Sequence, residues 1–461
     1  MDQTLVFDLD LINKYDYAGP RYTSYPTAPQ FHDGFADSDY RTAAQRSNES
    51  GQPLSLYFHI PFCDTICFYC ACNKIATKDR GLNAPYLQRL YKEIEMQGQL
   101  YDNSRKVDQL HWGGGTPTFL SLEQMQELMR VTGEHFQLAD DNSGEYSIEI
   151  DPREATAETV RVLSEAGFNR MSLGVQDFDE KVQKAVNRIQ TEEETFAVLD
   201  AAKANGFRSV SIDLIYGLPF QSVDSFARTL DRVLEVGPDR LSVFNYAHLP
   251  QMFKPQRRIN EAELPQPEVK LEILKMTIDH LTDAGYIYVG MDHFARPDDE
   301  LAIAQREGSL YRNFQGYSTH SDCDLVAMGV TSISMVGNTY SQNVRDLESY
   351  YERLDAGKLP VLRGIELSQD DLIRRDVITQ LICNFTLPFE RIDQAWGISC
   401  TDYFTEELAR MEPMIDDGLL EKHANGLVVL PRGRLLIRNI CMAFDKYLPP
   451  LSQQKNFSRV I

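Results

Sequence analysis

Four of the chain's eight cysteines fall within the ten residues Cys63-Asp-Thr-Ile-Cys67-Phe-Tyr-Cys70-Ala-Cys72, spaced C-x3-C-x2-C-x-C. Thiolates this close on one segment suit an iron–sulfur cluster, because a short loop must wrap several corners of a cube. Structural zinc usually takes two separated C-x2-C pairs, and the sequence has no second pair. A disulfide reading is weaker, since nothing in the sequence indicates an oxidising compartment. The remaining Cys323, Cys383, Cys400 and Cys441 are scattered and read as reduced thiols in apolar surroundings.

Further residues with chemical potential stand at regular places. Gly113-Gly-Gly-Thr116 follows a strand-like run; without Cβ atoms its backbone can approach a ligand closely, although a tight turn is the plain alternative. Glu149 suits a ribose diol acceptor, or else initiates a helix. Asp213, between Ile212 and Leu214, is a carboxylate in an apolar strand and is costly there unless paired. Arg188 can pair with a ligand carboxylate or simply face solvent from a helix.

The elements that must position these residues alternate in type. Apolar strands are expected at Leu54–Ile60, Val107–Trp112, Tyr146–Ile150, Arg170–Val175, Ser209–Tyr216 and Leu241–Ala247. Amphipathic helices are expected at Ala84–Leu100, Leu122–Phe136, Thr156–Ala166 and Asp224–Glu235, with a broken helical stretch over Glu180–Asn205. Such alternation implies a parallel sheet with helical crossovers. Six units fall short of the eight that close a full barrel. The expected class is therefore α/β, a partial (β/α)6 TIM-like barrel, with a doubly wound sheet as the alternative. In the barrel reading the strand ends should carry the active groups. The polar and glycine residues do cluster there, from the cysteine loop to Asp151-Pro-Arg153, Gly174-Val-Gln176-Asp177, Asp213–Gly217 and Asn245-Tyr-Ala-His248.

At 461 residues, two or three domains are expected, or one barrel with additions. Residues 1–50 read as an N-terminal arm, 51–300 as the barrel, 301–364 as a connecting region completing the active site, and 365–461 as a small, mostly helical, winged-helix-like domain. The arm carries Tyr15 to Thr27, rich in tyrosine and proline, which suits an ordered extended segment lying across a site. A helix is expected over 266–284. The C-terminal reading rests on helical runs at Asp370–Cys383 and Tyr403–Asp417, a hairpin pattern after Gly418, and a last helix Gly433–Tyr447. The acidic N-terminus lacks the basic region of a signal peptide, and no run of about 18 apolar residues suggests a membrane span. A cytoplasmic monomer is expected. The formal charge of −22 argues against nucleic acid or an anionic membrane as partner.

The C-x3-C-x2-C spacing resembles the signature of radical S-adenosylmethionine (SAM) enzymes. That resemblance implies a [4Fe–4S] cluster on Cys63, Cys67 and Cys70, with SAM on the fourth iron; a fourth thiolate would block SAM, so Cys72 is assigned no metal role. Longer motifs narrow the family. Gly19-Pro-Arg-Tyr-Thr-Ser-Tyr-Pro, His59-Ile-Pro-Phe-Cys, His111-Trp-Gly-Gly-Gly-Thr-Pro-Thr, Ile148-Glu-Ile-Asp-Pro-Arg-Glu, Asp213-Leu-Ile-Tyr-Gly-Leu-Pro and Met291-Asp-His-Phe-Ala-Arg-Pro resemble the oxygen-independent coproporphyrinogen III oxidase family, from about residue 12 to the C-terminus.

The family implies oxidative decarboxylation of two propionates of coproporphyrinogen III to vinyl groups, giving protoporphyrinogen IX in haem synthesis. It implies two SAM molecules, an electron donor such as flavodoxin or ferredoxin, and a separate electron acceptor. Carried over by motif, Tyr57, Gly114, Glu149 and Ile333 look like contacts of the cluster-bound SAM. Tyr69, Gly115, Thr116, Gln176, Arg188, Asp213 and Ala247 look like contacts of the second. Tyr69 departs from an expected phenylalanine and Ala71 from an expected glycine. Four propionates demand cations despite the acidic background; Arg21, Arg296 and Arg312 are the candidates. A haem chaperone and a haem-opening methyltransferase of the same superfamily are the rival functions.

Overall fold

A computed structural model describes residues 5–15 and 17–448; the extreme ends of the expected arm and C-terminal domain lie outside the described residues. The chain forms two compact units. One comprises residues 31–277 and 322–366, the other residues 1–30, 278–321 and 367–461. The sequence placed boundaries near 50, 300 and 364, whereas the units divide at 30, 277, 321 and 366. Residues after 30 join the first unit because His32 bridges Gly364 of its sheet through paired backbone hydrogen bonds.

In the first unit six parallel strands follow one another in space as in sequence: β1 (Leu54–Ile60), β2 (Lys106–Gly114), β3 (Glu145–Ile150), β4 (Arg170–Gln176), β5 (Ser209–Tyr216) and β6 (Arg240–Asn245). A doubly wound sheet reverses its strand order at a switch point. No reversal occurs along β1–β6, so the barrel reading stands. Beyond expectation, the other edge of β1 carries β7 (Asp324–Met328), again parallel, and then antiparallel β8 (Ile333–Val336), β9 (Thr339–Asn343) and β10 (Val361–Glu366).

Alternation explains the two faces of this sheet. Leu56, Phe58, Leu110, Trp112, Ile148, Leu173, Ile212, Leu214 and Leu241 are buried on one face, where the amphipathic crossover helices belong. Each such side chain contributes roughly 1.5–3 kcal/mol when taken fully out of water. The other face presents Tyr57, His59, His111, Ser147, Glu149, Ser172, Gly174 and Asp213. This is not the packed aliphatic interior of a closed barrel; it is polar and partly open.

The crossover helices start where the chain supplies caps. Ser121, Thr156, Thr191 and Ser222 each accept a hydrogen bond from the N3 backbone of helices Leu122–His135, Ala157–Glu165, Glu192–Ala204 and Val223–Val236. Such a cap is worth about 1 kcal/mol. The broken stretch resolves into Glu180–Ala185 and Glu192–Ala204, and the break between them carries Arg188.

The second unit contains the arm, two small hairpins and the C-terminal fold. Helices Gln369–Asn384 and Phe389–Trp396, three short helices between Cys400 and Asp416, and a three-stranded sheet (Thr386–Pro388, Gly426–Val429, Leu420–His423) make the winged-helix-like arrangement. The expected single helix over Tyr403–Asp417 breaks into pieces, with Pro413 at the start of the last one. Among the described residues the final α-helix is only Ile437–Met442. Buried Tyr22 donates to Asp445 at 3.0 Å, and Arg438 donates to the Pro20 carbonyl at 3.0 Å. The middle of the arm is therefore packed, not an exposed leader.

Candidate active site

The cysteine loop leaves β1 and is closed at its base. Phe62–Cys63 pairs in parallel with Ile75–Ala76, with Ile75 N–H donating to the Pro61 carbonyl at 2.7 Å and Thr77 N–H to the Cys63 carbonyl at 2.8 Å. Three outside groups pin the loop backbone. The Val186 carbonyl accepts from Phe68 N–H at 2.9 Å, Asn187 Nδ2 donates to the Ile66 carbonyl at 2.8 Å, and Gln256 Nε2 donates to the Tyr69 carbonyl at 3.0 Å. A loop with few internal backbone bonds gains its shape from these neighbours.

The glycine triplet then meets the loop. Gly115 N–H donates to the Ile60 carbonyl and Thr116 N–H to the Phe62 carbonyl, both at 2.8 Å. A Cβ at Gly115 would lie 2.6 Å from the Phe62 carbonyl oxygen, and one at Gly114 would lie 2.7 Å from the His59 ring, where φ is already +118°. Both positions require glycine. At Gly113 a Cβ would sit 3.0 Å from the Glu149 carboxyl.

The thiols differ in their surroundings. Thr116 Oγ1 lies 3.7 Å from Cys63 Sγ, while burial pushes the Cys63 thiol up to about 12. A hydrogen bond from the Cys72 thiol, aided by Lys74 and working against burial, draws the Cys70 thiol down to about 6. Cys67 Sγ faces two guanidiniums, Arg188 Nη1 at 3.5 Å and Arg153 Nη2 at 3.8 Å. Both arginines are held by Asp151 Oδ2, at 3.1 and 2.6 Å. Burial opposes charge on Asp151, but Arg188 and Arg153 outweigh it and keep the carboxyl below its ordinary range. Cationic donors beside thiolates favour the ionised sulfur that a metal ligand must be.

Across the polar face, Tyr57 stacks on His111 with ring centroids 5.8 Å apart, and its hydroxyl lies 3.1 Å from His59 Nδ1. His111 Nδ1 meets Ser147 Oγ at 2.6 Å, and its Nε2 is 3.5 Å from Glu149 Oε1. Gly114 N–H donates to Glu149 Oε2 at 3.1 Å. Although Glu149 sits inside a central strand, its side chain is 49% exposed, which marks an open space beside it. The protein packed around this open space works against its charge, but His111 and the Gly114 N–H hold the carboxyl below the usual range. Asp213 stands opposite Gly174 in the β4–β5 register, accepts from Ser172 Oγ at 2.9 Å, and is pushed up to about 6 by burial.

The expected residues are thus brought together in groups. Tyr57, Gly114 and Glu149 share one stretch of the polar face, and Gly115 and Thr116 adjoin Cys63. Gln176, with φ +71°, ends β4 next to Gly174, whose carbonyl accepts from Arg188. Tyr69 packs with Tyr246, the neighbour of Ala247, in an apolar cluster that also holds Val182, Val186 and Ile259. Ile333 opens β8 and pairs with Gln342. Arg21, Arg296 and Arg312 all belong to the other unit. Arg21 is ion-paired with Asp292, Arg296 is exposed after the hairpin strand His293–Ala295, and Arg312 is 7% exposed with its guanidinium 5.0 Å over Tyr317.

Sequence reasoning placed Asp151 and Arg153 in the strand-end cluster without giving either a role, and gave His59 and His111 none. The signal for the first pair was an Asp-Pro-Arg turn at a strand end, and for the two histidines it was a place on the same alternating face as Tyr57. The donor set fits a cluster and a nucleotide-like cofactor. Gln176 Oε1, Arg188 Nε and Asn245 Oδ1 are buried with no hydrogen-bond partner among the described residues, and buried polar atoms in that condition await a ligand or water.

Comparison with known proteins agrees with this geometry. The radical SAM superfamily matches residues 57–233, and the HemN C-terminal domain matches residues 367–436. The chain is 57% identical over 461 residues to the oxygen-independent coproporphyrinogen III oxidase of Pseudomonas aeruginosa, covering 100% of both. It is 52% identical over 459 residues to that of Escherichia coli, covering 100% of this chain and 99% of the relative. A solved structure of the Escherichia coli coproporphyrinogen III oxidase, described as a radical SAM enzyme, superposes with a TM-score of 0.92 at 51% identity, covering 96% of this chain and 100% of that one. With the cysteine loop, the glycine cradle and relatives spanning its full length, this chain belongs to the oxygen-independent coproporphyrinogen III oxidase family of radical SAM enzymes.

Proposed function

We propose that the chain converts coproporphyrinogen III to protoporphyrinogen IX without oxygen, turning two propionates into vinyl groups for haem synthesis. The full-length identity of 57% to a coproporphyrinogen III oxidase carries this reading. Each propionate loses one hydrogen from its β-carbon, CO2 and one electron, so an electron acceptor is required. A bound [4Fe–4S] cluster and SAM would supply the radical chemistry that takes that hydrogen.

The residues of the chain bind, orient and exclude. Cys63, Cys67 and Cys70 hold the cluster, and Arg153 and Arg188 place positive charge beside Cys67. Tyr57, the Gly114 backbone, Glu149 and Ile333 hold the cluster-bound SAM, with the ionised Glu149 accepting from ribose hydroxyls. Tyr69, Gly115, Thr116, Gln176, Arg188, Asp213 and Ala247 hold the second SAM, where the Arg188 cation suits a methionine carboxylate. Arg21, Arg296 and Arg312 take propionates. The Arg21–Asp292 pair would then exchange one carboxylate partner for another. A flavodoxin or ferredoxin delivers the electron that starts each turnover.

The test is anaerobic turnover of reconstituted protein with SAM, a reductant and coproporphyrinogen III. Protoporphyrinogen IX with about two CO2 per porphyrin is expected. Haem binding without SAM cleavage, or a methylated linear tetrapyrrole, would overturn the reading.

A further inference from the structure

In a chain of formal charge −22, the two segments that pin the cysteine loop from outside are basic and apolar. Segment 180–190 supplies the Val186 carbonyl and Asn187; segment 249–259 supplies Gln256. Lys181, Lys254, Arg257 and Arg258 are exposed, and none is ion-paired with a carboxylate among the described residues. Lys184 is excluded, since Glu180 neutralises it at 2.8 Å. The nearby acids Glu261 and Glu263 are engaged by His248 at 3.2 Å and Asn260 at 3.1 Å.

Two of these cations lie against one apolar cluster. Val182, Val186, Leu218, Tyr246 and Ile259 pack together with Phe68, Tyr69 and Phe220. Lys181 Nζ lies 3.9 Å over Phe220, and the Arg258 guanidinium lies 5.3 Å over Phe68, a residue between two of the cysteines. Ile189 at 58% and Met252 at 59% exposure, the most exposed large apolar side chains among the described residues, stand on the same two segments. Apolar centres with a charged rim mark protein interfaces, and single-sign charge on an oppositely charged background steers encounter.

We infer that segments 180–190 and 249–259 form the docking surface for an acidic one-electron carrier protein, with Phe68 and the loop backbone between that surface and the cysteines. The inference rests on the function proposed above and adds where its electron donor binds. Charge complementarity selects the acidic carrier, since a basic one would meet four unpaired cations.

The experiment uses reconstituted protein and reduced flavodoxin under anaerobic stopped flow. The variant Lys181→Glu/Arg257→Glu/Arg258→Glu is expected to lower the second-order rate of cluster reduction at least tenfold at low salt. Wild-type rates should fall with ionic strength until the two meet. Binding of oxidised flavodoxin to the immobilised protein should weaken in parallel. Cluster reduction by dithionite, dithionite-driven product formation and KM for coproporphyrinogen III should be unchanged. Loss of dithionite-driven product in the wild type would sink the proposed function instead. Equal flavodoxin rates and salt slopes in both proteins would overturn the docking surface, as would a raised KM for the porphyrinogen at unchanged flavodoxin rate. The conservative Arg258→Gln and the wild-type salt titration test the same surface if the triple variant fails to fold.

Discussion

Arg153 Nη2 stands between Asp151 Oδ2, at 2.6 Å, and Cys67 Sγ, at 3.8 Å. One guanidinium nitrogen therefore ties the end of β3 to the second cysteine of the loop. Hydrogen bonds and positive charge at a ligand sulfur ease reduction of the cluster it holds. Arg153→Gln should lower the cluster midpoint potential by tens of millivolts, a tenfold shift in the redox ratio being about 59 mV for one electron. Potentiometric EPR checks this; an unchanged midpoint would leave Arg153 a purely structural partner of Asp151.

Glu149→Gln removes the negative charge that Gly114 N–H and His111 address. A hydrogen bond to a charged group is worth about 1.5–3 kcal/mol. SAM affinity should therefore fall on the order of 10- to 100-fold, read by equilibrium binding to the reconstituted protein. Affinity within twofold of wild type would remove Glu149 from the cofactor site.

Asp213 gives a pH signature, because burial raises its carboxyl to about 6. Its ionised form, the better acceptor for ligand hydroxyls, predominates above that pH. Binding of the second SAM should weaken as pH falls below about 6, and Asp213→Asn should be weaker and flat over the same range. A wild-type profile that is flat from pH 5 to 7.5 would contradict the assignment.

Glu93 is fully buried, accepts from Gly329 N–H at 2.8 Å, Asn343 Nδ2 at 2.8 Å and Tyr350 Oη at 2.5 Å, and is pushed up by burial to about 7. The folded state thus holds a proton that the unfolded chain releases near 4.5. This group's contribution is full below that value and declines as pH rises towards 7, by up to about 1.4 kcal/mol per unit and about 3 kcal/mol in all. Denaturant unfolding between pH 4.5 and 7.5 should show this slope in wild type and lose it in Glu93→Gln.

Gly115→Ala would press a methyl group against the Phe62 carbonyl. Overpacking of this kind costs about 1–3 kcal/mol. Here it falls on the short ladder that closes the cysteine loop, so iron bound per chain after reconstitution should drop while the circular dichroism of the fold persists. Full iron loading in this variant would show that the loop tolerates displacement.

The local parts of this molecule were legible because their codes are local. Short apolar runs marked β1–β6, amphipathic stretches marked the crossover helices, and four cysteines in ten residues marked the cluster loop. β7–β10 were not recognised as extensions of the same sheet. Their register depends on a free edge of β1 more than 260 residues away in sequence, which no window of spacing reveals.

The sequence by itself determined which chemistry is carried: thiolates on a loop, glycines where backbone must approach, and carboxylates at strand ends. Only the tertiary structure decided which groups meet. Asp151, Arg153 and Arg188 converge on Cys67 because β3 and the break after Ala185 both end beside the loop. His59 and His111 face the lumen beside Tyr57 and Glu149 because register aligns neighbouring strands. Spacing sets which face a residue takes, but contact between strands is set by register and by the packing of everything behind them.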